Sequence, residues 1–132
     1  MAGSDRRELG AIFLGGMAGA LARVWLGEHF ASGAGTWPWA TFAINVSGSF
    51  ALAYFATRLQ ERLPLSSYRQ PLLGTGFCGA YTTFSTMQVE ILEIIDRHSY
   101  ALAAGYAVAS IAAGLLAIWT ASALARGTRV IW

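Results

Sequence analysis

The residues able to do chemistry gather in residues 74–90, which read GTGFCGAYTTFSTMQVE. This stretch holds hydroxyls at Thr82, Thr83, Ser85 and Thr86, a ring at Phe84, a thioether at Met87 and a carboxylate at Glu90. Apolar sequence enters it from Leu72 and leaves it through Ile95, enough to cross a bilayer. Its middle is unsuited to a plain helix. Gly74, Gly76 and Gly79 are poor helix formers, and the hydroxyls compete for the backbone, so a helix broken near its middle is expected. Backbone that leaves the helix at membrane depth survives only where it is buried in protein, lines a cavity or holds an ion. Beyond the break, Phe84 and Met87 sit three apart on one helical face, while Thr83, Thr86 and Glu90 form an adjacent polar stripe. A plainer reading gives the glycines to helix packing.

Few other polar groups lie in apolar surroundings. Asn45 stands mid-segment, as glue between helices or as a donor pointing into a pore. Arg23, near the end of another apolar run, either snorkels to the interface or faces a water-filled cavity. There is no phosphate loop, no paired zinc ligands and no nucleophile–base pattern, and Cys78 is the single cysteine. Both histidines, His29 and His98, fall beside loops, where solvation is expected. The inventory suits binding or passage of an anion better than covalent chemistry, and an enzyme is not expected.

The elements that must position these groups follow from composition. At 132 residues, 55% hydrophobic and 12% charged, with a mean hydropathy of +0.48, the chain reads as one small domain too apolar to hide its own surface. An all-α integral membrane protein with four transmembrane helices is expected, with spans at about 9–26, 39–57, 68–95 and 100–124. The first carries Gly15-xxx-Gly19, a stripe for close helix approach. Trp37-Pro38-Trp39 marks the interface where the second begins. Ala43, Ser47 and Ala51 give it a small face, residues 58–69 read as a loop, and Ala109, Ala113 and Ala117 form a small stripe in the fourth. Tyr106 and Ser110 share a face there. The net charge of +2, from nine Arg and no Lys, gives no argument for nucleic acid.

Three blocks carry a resemblance: a GxxGAxxR-like pattern at residues 15–23, WPWATFAINVSGS at 37–49, and GFCGAYTTFSTM at 76–87. In this order they resemble the CrcB/Fluc family of fluoride channels, over nearly the whole chain. The resemblance implies an antiparallel, dual-topology-type dimer in the bacterial cytoplasmic (inner) membrane. Toxic fluoride would leave passively through two pores along the dimer interface. It also implies a structural sodium ion, not transported, held at the dimer centre by the backbone carbonyls of Gly79 and Thr82. Asn45 would donate its amide to fluoride and Phe84 would present a ring edge, the positive end of the aromatic quadrupole. Ser85 and Thr86 would form a hydroxyl track, joined by Tyr106 and Ser110. Arg23 matches a vestibule cation, and Thr41 and Glu90 match polar positions at the pore mouth. Met87 replaces the family's usual second pore Phe and offers no ring edge, so altered conductance is expected.

Charge patterning adds a further expectation. With four spans, Arg6, Arg7, Arg58, Arg62, Arg69, Arg126 and Arg129 share one side, against Arg97 and, if it snorkels that way, Arg23. That bias favours both termini in the cytoplasm. The partner is then a second copy or a sister subunit of opposite bias. Two other readings stand beside the channel. A small four-span multidrug exporter wants a membrane-buried carboxylate in its first span, and residues 9–26 have none. A non-transporting helper subunit would use the glycines and alanines only for packing in lipid.

Overall fold

The computed structural model describes residues 2–33, 35–62 and 70–127, with side chains for 6–33, 35–58 and 71–127. All regular structure among them is helical. Helix α1 is Ala2–His29 and α2 is Trp39–Arg62. A π-helical stretch, Gln70–Cys78, runs into one α turn, Gly79–Tyr81, and the two together (70–81) are called α3. Helix α4 is Phe84–Asp96 and α5 is Tyr100–Gly127. The expected start of the third span at Tyr68 lies outside the described residues, as do Pro64, Arg69 and Arg129.

The helical path is interrupted where the threonine content predicts. Thr82 (φ −76, ψ 148) and Thr83 (φ −143, ψ 114) are both extended, so α3 stops at Tyr81 and α4 restarts at Phe84. One expectation needs correction. Residues 58–62 are helical rather than loop, because Arg58, Leu59, Gln60, Glu61 and Arg62 are all good helix formers and a helix need not end with its apolar run. Arg58 also reaches back one turn, its Nε donating to Tyr54 Oη at 3.2 Å.

Three helices are long and apolar enough to cross a membrane among the described residues: Arg6–His29, Trp39–Arg58 and Tyr100–Gly127. Little of them is covered by the chain itself. Phe13, Leu14 and Leu21 on α1 and Ile111, Leu115 and Trp119 on α5 are exposed, a surface that water would not tolerate.

Packing sets α1 along α3, α2 along α5, and α4 against α5. The first contact is backbone on backbone. A Cβ at Gly15 would run into the Leu72 carbonyl oxygen and one at Gly19 into that of Phe77, while one at Gly76 would come within 2.6 Å of Ile12 O. The expected Gly15–Gly19 stripe therefore seats α3. On α2, Ala43 and Ser47 of the expected small face are exposed within this chain, and Ser47 is hydrogen-bonded to Tyr81 at 3.0 Å. A Cβ at Gly48, one position round, would run into the Thr82 methyl and come within 3.1 Å of the Tyr81 ring, so the glycine lets this part of the chain lie close. On α5 the alanine stripe continues through buried Ala117, Ala121 and Ala125. Met87, Ile94, Ala103 and Tyr106 form a buried cluster, with Trp37, Phe42 and Ile91 packed against it.

A methyl at Gly15 has no room, whereas Gly10, on the same helix, has nothing within 4 Å. Gly15→Val is expected to destabilise the detergent-purified protein by about 1–3 kcal/mol, a loss seen as a lower melting midpoint. Gly10→Ala is expected to leave that midpoint unchanged or slightly raised. Equal midpoints for all three proteins would show that α1 does not lie on α3 this closely.

Candidate functional site

The site grows from the interruption between α3 and α4. In a continuous helix the Thr83 amide would bond Gly79 O; here it donates to Asn45 Oδ1 at 2.8 Å. Asn45 Nδ2 returns the bond, donating to Thr83 O at 3.0 Å. The side chain of α2 thus behaves as one residue of a neighbouring strand, exchanging two hydrogen bonds with Thr83. The Thr86 amide, which would reach Thr82 O, instead donates to Thr83 Oγ1 at 3.2 Å, so Thr83 is the N-cap of α4. Both diversions have the same result: the carbonyl oxygens of Gly79 and Thr82 lose their i+4 amide partners. Beside them Cys78 O takes two bonds, from Thr82 N at 3.0 Å and Thr82 Oγ1 at 2.9 Å. Gly79 is exposed, and a Cβ there would meet only Gly74 O, at 4.0 Å.

One and a half turns along α4, a second cluster gathers on Glu90. Thr41 Oγ1 donates to its Oε1 at 2.6 Å and Tyr106 Oη to its Oε2 at 2.9 Å. Tyr106 is fully buried, its ring edge-on to Trp37 with centroids 5.5 Å apart. Thr41, Thr86 and Glu90 together line a cavity of about 250 Å³, which also takes in Ser32, Thr36 and Glu93. Hydroxyls of α2, α4 and α5 therefore converge near the middle of α4.

The remaining candidates are placed as follows. Phe84 is 69% exposed and Ser85 and Thr86 are exposed beside it, whereas Met87 turns inward and is 9% exposed. The shared face of Phe84 and Met87 thus straddles the boundary between surface and core. Ser110 Oγ and Arg23 Nε are buried without a hydrogen-bond partner among the described residues, and neither is drawn into the Glu90 cluster. Thr83 was expected in a polar stripe with Thr86 and Glu90 but not as a helix cap, although a hydroxyl directly before an apolar, helix-periodic run is an N-cap signature. Ser47 and Tyr81, hydrogen-bonded at 3.0 Å, also escaped notice, since nothing local pairs residues so far apart in the chain.

Comparison with known proteins bears on this arrangement. A family model described as CrcB-like protein, Camphor Resistance (CrcB), matches residues 10–122. The chain belongs to the CrcB family. A relative from Mycolicibacterium paratuberculosis, named Fluoride-specific ion channel FluC 1, is 58% identical over 130 residues, 98% of each chain. One of the same name from Mycobacterium tuberculosis is 55% identical over the same share of each chain. Fluoride-specific ion channel FluC 2 of Geobacillus kaustophilus is 39% identical over 120 residues, 90% of this chain and 93% of that one. Relatives named as channels and three helices apolar enough to span make this CrcB chain a multi-pass membrane protein.

In this CrcB chain the exchange between Asn45 and Thr83 is the strut of the break. Asn45→Asp keeps an acceptor for the Thr83 amide but sets a carboxylate oxygen against Thr83 O. A loss of about 1–3 kcal/mol is expected, read as a lower melting midpoint and faster amide exchange at residues 82–86. Unchanged protection at the Thr83 amide would remove Asn45 from this role.

Proposed function

We propose that the chain is a fluoride-specific ion channel that lets toxic fluoride leave the cell passively across the bacterial cytoplasmic membrane. The observation that carries this is the break itself, where diverted amides leave two bare carbonyls and a run of hydroxyl donors begins alongside. The names of the relatives supply the ion. A small, strongly hydrated anion must exchange water for donors without being held too tightly to leave. The second N–H of Asn45, the exposed edge of Phe84, and the hydroxyls of Ser85, Thr86 and Ser110 meet that need. Arg23, with its Nε unpartnered, is read as the cation that draws the ion in, and Thr41, Glu90 and Tyr106 as the pore mouth. With both oxygens of Glu90 taking hydroxyl protons, its charge is partly spread and repels an anion less.

The pathway is read as incomplete in one subunit. Residues 70–96 make the fourth crossing, in two pieces, and a second subunit inserted the other way covers exposed Phe84, Ala43 and Ser47. Two pores then run along the interface. The residues present fit a sodium ion at its centre, since Gly79 O and Thr82 O are carbonyls without their helix amides and hard cations take oxygen ligands. Bound there, sodium would supply positive charge that neutralises the carbonyl ends and joins the subunits, without being transported. The Arg bias favours one insertion, and on that ground the partner is read as a sister subunit of opposite bias.

The chain co-purified with a CrcB-family sister subunit of opposite Arg bias, in liposomes, tests this reading. Fluoride efflux with no matching chloride efflux is expected, with a several-fold loss for Phe84→Ile at unchanged melting midpoint. Chloride flux equal to fluoride flux would overturn the assignment. Protein made from this gene alone is expected to give few antiparallel dimers by cross-linking. A conducting homodimer would refute the need for a sister subunit.

A further inference from the structure

We propose that Thr83, behind the pathway rather than in it, is a positioning residue that turns the Thr86 hydroxyl into a donor aimed at the anion. The proposal rests on the channel reading above. A hydroxyl has one proton and two lone pairs, so it can greet an anion with either sign. Only the proton attracts it. What decides the matter for a hydroxyl track is the group behind each hydroxyl.

Thr83 has no freedom to choose. Its backbone N–H and C=O are both tied to Asn45, and its side chain is 6% exposed. Its Oγ1 accepts from the Thr86 amide at 3.2 Å and donates its proton to Thr86 Oγ1 at 3.0 Å. One lone pair of Thr86 is thereby occupied from behind, and the Thr86 proton is left to point onward. Thr86 is exposed and lines the cavity with Thr41 and Glu90. Ser85 differs. Its Oγ lies 3.5 Å from Thr83 Oγ1, at the limit of a hydrogen bond and with either oxygen able to donate, so its direction is not set. The β-branched Thr83 side chain has few rotamers, which holds the arrangement still. The chain of control thus runs from Asn45 through the Thr83 backbone to the Thr86 proton.

The test uses the full-length chain paired with its sister subunit in liposomes, with fluoride efflux measured over a range of fluoride concentrations and melting midpoints measured alongside. Thr83→Val keeps the shape but loses the hydroxyl, and is expected to raise the half-saturating fluoride concentration roughly tenfold or more. Thr83→Ser is expected to restore most of the loss. Thr83→Cys, a weaker donor, is expected to fall between them, and it serves if the valine variant does not fold. The Thr83→Val/Thr86→Val double variant is expected to be no worse than Thr86→Val alone, because both act through one proton. A merely structural Thr83 would lower the midpoint and the maximal flux with half-saturation unchanged, and that outcome overturns the proposal. So would losses at Thr83 and Thr86 that multiply. Absent flux in the unsubstituted pair of subunits would instead overturn the channel reading itself, a distinguishable result.

Discussion

Backbone amides and carbonyls freed inside an apolar environment must find partners, and that constraint organises this molecule. The interruption at Thr82 and Thr83 releases groups that no water can satisfy at depth. Two are taken by Asn45 and one by the Thr83 hydroxyl. Each of those bonds has a direction. Asn45 and Thr83 accept the Thr83 and Thr86 amides, so the Gly79 and Thr82 carbonyls are left without the helix partners that those amides would have been. An interruption solved by a carbonyl-seeking Arg or Lys would have left amides bare instead. The choice of an amide side chain and a hydroxyl cap therefore fixes the polarity of the break: acceptors at the end of α3, donors from the start of α4 onward.

Such a break is only useful if its two halves are held in place by something other than the missing bonds. The glycines of α1 do this for α3. Contact of Gly15 with Leu72 O and of Gly19 with Phe77 O brings α1 against the carbonyls of a π-wound segment, whose wider turn would pack poorly against larger side chains. Gly48 of α2 holds the last turn of α3 through the Thr82 methyl and Tyr81 ring, one turn from the Asn45 strut on the same helix. On the other side α4 is anchored by the core around Met87, Ile94 and Tyr106. The break is thus set between two separately packed halves, and α2 is the element that touches both.

Much of this was legible in the sequence, and the limits have physical causes. Apolar run lengths exposed three long helices, since each crosses without assistance. The interruption was visible in part: the helix breaks at Thr82 and Thr83, as the threonine run suggested, whereas Gly74, Gly76 and Gly79 stay helical. Gly15 and Gly19 announced a close approach by their spacing. Residues 58–62 misled, because polarity marks the end of an apolar run and not the end of a helix. Ala43, Ser47 and Ala51 marked a small face without naming its neighbour, because small size at fourfold spacing does not say which of two adjacent faces lies closest to the Tyr81–Thr82 turn; within the chain Gly48 does, having no side chain at all. Least visible was the role of Asn45 toward Thr83. A polar residue at depth says that a partner exists, but the partner was a backbone group 38 residues away, and backbone groups leave no trace in a sequence.

Met87 is the residue on which the two halves of the site depend together. In the channel reading it stands where a second ring is usual, three residues after exposed Phe84, and their spacing alone assigns the two the same work on one face. Their surroundings differ. Phe84 is uncovered, and its surface awaits a neighbour, whereas Met87 packs beside Tyr106, whose hydroxyl holds Glu90. An unbranched thioether fills an irregular gap more readily than a planar ring does. Exchanging ring for thioether at this position therefore acts first on the packing under Tyr106, and reaches the ion through the Tyr106–Glu90 bond rather than by the loss of a ring edge. The cluster of Thr41, Glu90 and Tyr106, closed by two hydroxyl donors, then carries the consequence of a change made in the core.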